Sequence, residues 1–184
     1  PVVFAGLGLA AATLAALSSL FSASFSKDGR KLWLERSLPV SPFAVFLGKW
    51  LGGLIIAGVA HTVTLLALGL LLRLPPGPWL YAWLLGLLAI GACGALGLGI
   101  DALRPKLAWK ETVEAVKQNA NVVFAMLGSL VLLGVNALAL WACVAWRLSA
   151  PVVWLAPVVL NLGLLAYALF LGRLAAGRFG ELEV

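Results

Sequence analysis

Few side chains in this chain could do chemistry, and they are widely spaced. The one histidine, His61, stands beside Thr62 and Thr64 in an apolar run, and Asn136 and Asn161 stand alone in two others. Within hydrocarbon such residues are costly unless paired, and they face a bundle interior or a water path. His61, Asn136 and Asn161 therefore have two readings. They form hydrogen bonds between helices, worth about 0.6 kcal/mol each, or they line a translocation path. The only carboxylate near an apolar run, Asp101, stands at its end, so a carboxylate relay for protons or sodium has no residues to run on. Cys93 and Cys143 have no His or carboxylate neighbour in sequence and read as small packing residues rather than metal ligands. There is no HExxH and no GxSxG, and Gly48-Lys49 lacks the earlier glycine of a phosphate-binding loop. No catalytic or metal-binding constellation can be assembled, and the chain does not read as an enzyme.

The elements that carry these residues are apolar. The chain has 184 residues, 63% hydrophobic and 11% charged, whereas soluble domains are about a quarter charged. A membrane span takes about 20 apolar residues, and five segments qualify: Val2–Ser22, Phe43–Leu72, Trp79–Ile100, Val122–Trp146 and Val152–Leu171. Runs of this length without strict alternation satisfy their backbone in lipid as helices. The expected fold is an all-α, polytopic transmembrane bundle forming one domain over residues 1–184. The short connections 74–78 and 147–151 make the second and third spans, and the fourth and fifth, antiparallel hairpins. Gly48 and Gly52, and the glycines of the third span, have the spacing that lets helices approach closely.

The net charge of +6 belongs to topology rather than to nucleic acid. Lys27, Arg30, Lys31, Arg36, Lys49, Arg104, Lys106, Lys110, Lys117, Arg173 and Arg178 fall on one side of the expected spans, and Arg73 and Arg147 on the other. Positive charge accumulates in cytoplasmic loops, so the richer side is expected to be cytoplasmic. Pro1 is then outside and Val184 inside. An opening at Pro1 directly into apolar sequence is the expected look of the C-terminal part of a longer chain.

Both segments on the basic side carry more than topology charges. In the first, residues 23–42, Asp28 could cap a helix running to Leu38, where Pro39 would end it. Leu32, Trp33 and Leu34 are interrupted by Lys31, Glu35 and Arg36 and form no clean stripe. The segment is either a solvated connector or a helix held between the bundle and a soluble partner. In the second, residues 101–121, Trp109, Val113, Val116, Ala120 and Val123 recur at helical steps. Lys110, Glu111, Glu114, Lys117, Gln118 and Asn121 take the opposite face. This is an amphipathic elbow or a second docking surface, and Glu114 and Lys117 are spaced to pair.

These two segments carry a resemblance. Ser26, Asp28 and Gly29, then Ser37-Leu38-Pro39-Val40-Ser41, then Gly48-Lys49 resemble the cytoplasmic "S-x-[ED]-G … SLP[IV]S … GK" stretch of bacterial ATP-binding-cassette (ABC) exporter permeases. Asp101, Pro105-Lys106-Leu107, Trp109 and the run Glu114 to Asn121 look like a matching stretch in a long subgroup of those permeases. The connection 147–151 departs from exporters that place re-entrant helices between their last two spans. The resemblance implies a multi-pass permease of the cytoplasmic membrane, in contact with membrane lipid and acting as a dimer of units or halves. Its partner would be a separate ABC ATPase subunit, which holds the ATP and Mg, so the chain itself has no cofactor. The docking residues it implies are Lys27, Asp28, Gly29, Arg30, Lys31, Leu32, Trp33, Leu34, Glu35 and Arg36. The second motif contributes Trp109, Glu114, Lys117, Gln118, Asn119 and Asn121. The alternative is a membrane-embedded enzyme or assembly factor without an ATPase partner.

Overall fold

A computed structural model describes residues 2–16, 19–29, 37, 39–117 and 119–181. It is all-helical among these residues. The elements are α1 (Val2–Ala16), α2 (Ser19–Ser22), α3 (Ser24–Asp28), α4 (Pro42–Leu71), α5 (Pro76–Leu103), α6 (Thr112–Lys117), α7 (Ala120–Ala145) and α8 (Ala150–Glu181). The helices α4, α5, α8 and the α6–α7 run are long and apolar enough to cross a membrane, the architecture of a multi-pass membrane protein. Within the expected first span the described residues are helical, α1 to Ala16 and α2 from Ser19 to Ser22, and a turn at Ala23 separates α2 from α3.

Local chemistry sets the helix boundaries. Ser41 caps α4 by accepting from Ala44 N–H at 3.2 Å, and Pro42 occupies the first turn, where its missing N–H costs nothing. At the far end of both hairpins an arginine takes the left-handed conformation, Arg73 after α4 and Arg147 after α7, each at φ 50°. The N–H three places beyond each helix then reaches back, Leu74 to the Gly69 carbonyl at 2.9 Å and Leu148 to the Cys143 carbonyl at 3.1 Å. Both helices thus end with the same closing turn, normally the place of a glycine. The chain reverses within a few residues after each, as the short connections require.

The central element is α5. In its most apolar stretch 67% is buried, against 22, 17 and 22% for α4, the α6–α7 run and α8. The other long helices and α1 pack around it. Its glycines explain how. The side chain of Phe21 lies in a slot between α4 and α5, where a Cβ on Gly53 or Gly94 would stand 2.5 or 2.7 Å from its ring. The His61 ring occupies the space above Gly86, and α5 meets α8 where Gly99 faces Gly172. By contrast the Gly48/Gly52 pair, expected to pack a helix, faces away from the bundle, and a Cβ on either would touch nothing. The spacing is right, but the face it marks is on the outside of α4.

Candidate functional site: a joint at the basic end

At the basic end of the bundle, two segments far apart in sequence become one hydrogen-bonded unit. Its centre is Ser26 in α3 and Asp101 in the last turn of α5, both 0% exposed. One carboxylate oxygen of Asp101 accepts from Ser26 Oγ at 2.5 Å and from Asn121 Nδ2 at 3.0 Å, and the other accepts from Ser26 N–H at 3.0 Å. While donating to Asp101, Ser26 Oγ accepts from Lys106 N–H at 2.9 Å and from Asn119 Nδ2 at 3.0 Å. Asn121 also donates to the Arg104 carbonyl at 2.6 Å. Trp109 Nε1 donates to the Ser26 carbonyl at 2.8 Å. Buried carboxylates are tolerated when their lone pairs are met by directed donors; here those donors come from α3 and α7, and the 104–110 loop in turn donates to Ser26.

Chemically this arrangement holds rather than reacts. The Ser26 hydroxyl has its proton and both lone pairs engaged and no exposed surface, so it offers nothing to a substrate. Nor do the described residues contain a His/Cys/Asp/Glu group suited to a metal ion. The result is a rigid joint: three elements converge on one carboxylate.

Beside the joint sits the start of the expected docking segment. Gly29 follows α3 at φ 41°, a conformation that favours glycine, and its added Cβ would lie 2.7 Å from the Trp109 indole. The tryptophan of the second motif therefore covers the glycine of the first. Asp28 is the last residue of α3, and its carboxylate pairs with Lys49 at the base of α4. The Lys49 ammonium also lies 5.1 Å from the Phe25 ring centroid. Lys27, in the last turn of α3, is half-buried. Residues Arg30, Lys31, Leu32, Trp33, Leu34, Glu35 and Arg36, and with them the expected helix to Leu38, lie outside the described residues, as does Gln118.

The second motif folds differently from its periodicity. Instead of one amphipathic helix, α6 covers Thr112–Lys117, and α7 restarts at Ala120 with Asn119 as its cap, accepting from Asn121 N–H at 3.0 Å. The expected apolar face is divided: Val113 and Val123 are more than half exposed, while Trp109 packs on Gly29. Asn119 and Asn121 are the buried ones, because the Ser26–Asp101 pair meets their amides. Glu114 does not reach Lys117: its carboxylate accepts from Lys110 N–H at 3.1 Å, and Lys117 is exposed. The sequence reading missed Ser26 and Asp101 as partners. The available signal was a carboxylate closing an apolar span, which must find donors wherever the chain offers them.

The polar residues of the mid-spans are bridges. Asn136 and Asn161 are 2 and 1% exposed and face each other across α7 and α8, Asn161 Nδ2 donating to Asn136 Oδ1 at 2.5 Å. Each also bonds a carbonyl of its own helix, Leu132 and Pro157. His61, likewise buried, places Nε2 3.2 Å from the Trp83 carbonyl, and Trp83 Nε1 donates to Thr62 Oγ1 at 2.9 Å. Trp50 and Trp79 donate to the Gly91 and Leu65 carbonyls of the facing helices. These side chains tie helix to helix. Cys93 and Cys143 are buried and free.

Compared with protein-family models, with curated proteins and with solved structures, the chain matches none.

Proposed function

We propose that this chain is a membrane-spanning permease part of an ATP-driven exporter of the cytoplasmic membrane, without catalytic residues of its own. One observation carries the reading. The two segments that resemble exporter permeases, the Ser26–Gly29 element and the Asp101–Asn121 stretch, fold into a single joint at the basic end. Segments of independent purpose have no reason to share a buried carboxylate. On this reading a separate ATPase subunit, holding ATP and Mg, docks on residues 27–36. A push on that segment reaches α5 through Ser26 and Asp101, and reaches α4 through the Asp28–Lys49 pair. Since α5 touches every other long helix, the joint delivers the motion to the centre of the bundle. A dimer of such units, or of halves, would enclose the path.

The test is purification of the intact protein from its native membrane, scored for an ATPase subunit. Interfaces concentrate their energy in a few buried aromatic anchors, so Trp33→Ala should cost about 2 kcal/mol or more of that association. Lys27→Ala should cost little. If no ATPase accompanies the protein, the reading fails in favour of an embedded enzyme or assembly factor. If an ATPase binds and survives Trp33→Ala with Leu34→Ala, the docking site lies elsewhere, on residues 109–121.

A further inference from the structure

Between α5 and α8, at the basic end, runs a furrow of about 290 Å³. Small side chains make its floor: Ala95, Gly99 and Ala175. Leu103 and Leu174 form its walls, and Arg178 stands at its mouth, exposed. Gly99 lies against Gly172, so the two helices touch at the floor and leave the furrow open toward the surroundings. Among the described residues Arg178 makes no ion pair.

We propose that this furrow binds one anionic phospholipid of the leaflet at the basic end, its acyl chain lying on Gly99 and its phosphate on Arg178. Shape and charge both point to this occupant. From Ala95 to Leu103 the furrow follows α5 for about 12 Å at 1.5 Å per residue. Over that length its lining is apolar, which suits an acyl chain. A free anion would meet the guanidinium but leave the apolar floor bare. An amphiphile with a negative head meets both, and arginine grips phosphate by paired, charge-assisted hydrogen bonds. Basic residues at the inner ends of membrane helices attract anionic headgroups in the same way. The inference is independent of the exporter reading, because it uses only the furrow, its charge and a bilayer.

The experiment is native mass spectrometry of the intact protein in detergent, titrated with phosphatidylglycerol and with phosphatidylcholine of identical chains. One phosphatidylglycerol should bind about fivefold tighter than phosphatidylcholine, the size of one cationic contact near a membrane surface. Arg178→Gln should reduce that ratio to about one, and Arg178→Lys should keep it. Arg73→Gln, at the opposite end, should not alter it. Leu174→Trp, which fills the furrow from its exposed rim, should weaken both lipids together. Equal binding of the two lipids by the unaltered protein overturns the proposal, as does a preference that survives Arg178→Gln or is lost in Arg73→Gln. If inorganic phosphate displaces phosphatidylglycerol as effectively as a second anionic lipid does, the site is an anion site and the proposal is wrong.

Discussion

Ser26 concentrates more of the fold in one hydroxyl than any other residue at the basic end. Removing it leaves the Asp101 carboxylate short of a donor and takes one acceptor from the Lys106 N–H and one from the Asn119 amide, which keeps its bond to the Ala115 carbonyl. An unsatisfied buried polar group costs about 1–3 kcal/mol. Ser26→Ala should therefore lower stability by that amount, read as a drop in thermal unfolding temperature in detergent. Lys27→Ala, one residue away and half-buried, should change it little. Equal melting of Ser26→Ala and the unaltered protein would mean the joint is not holding the bundle. The Asn136–Asn161 pair makes a smaller claim. Interhelical side-chain bonds in lipid average about 0.6 kcal/mol and reach about 1.7. A double-mutant cycle with Asn136→Ala and Asn161→Ala should give a coupling in that range. A coupling near zero, with altered solute selectivity in a stable protein, would return these residues to a translocation path.

Helices in this bundle are sorted by which glycine faces something. On α5, Gly94 faces the Phe21 ring, and α5 is the helix the others surround. On α4, Gly52 faces outward and its added Cβ meets nothing. Gly94→Leu should displace Phe21 and separate α4 from α5, giving a protein that is degraded or aggregates on extraction. Gly52→Leu should leave yield, elution volume and melting in detergent unchanged. Overpacking of a tight core costs about 1–3 kcal/mol, while an outward leucine only meets hydrocarbon. If the two substitutions behave alike, the packing around α5 is wrong. An elution shift toward smaller size in Gly52→Leu alone would show that the outer face of α4 joins two copies.

At the scale of the whole molecule the charges sort by end. Lys106, Lys110 and Lys117 share the end of the Ser26–Asp101 joint, and Arg73 and Arg147 close the opposite turns. Basic loops are expected on the cytoplasmic side, so a cysteine at Thr112 should resist an impermeant thiol reagent in intact cells, and one at Ser149 should react. Both positions are exposed, and Cys93 and Cys143 would be removed from the background. Reaction at Thr112 and protection at Ser149 would invert the orientation.

How much of this was legible beforehand depended on the physics involved. Helical class, four of the expected spans and the hairpins follow from composition and from prolines and charges at the turns, because lipid excludes unpaired backbone and exposed charge whatever the fold. The bridging reading of Asn136 and Asn161 follows from the same cost, applied to two amides. What no local rule could give is which donor meets which acceptor across 75 residues, as between Ser26 and Asp101. Periodicity separated Val113 and Val123 from Asn121 on opposite faces, but only the fold puts Asn121 beside a buried carboxylate that makes its burial favourable. Spacing marked Gly48 and Gly52 for packing, but only the rotation of α4 about its own axis decides which glycines meet a neighbour. That rotation is set by the Phe21 slot and the Trp50, His61 and Trp79 contacts, all of which are made between helices and none within one.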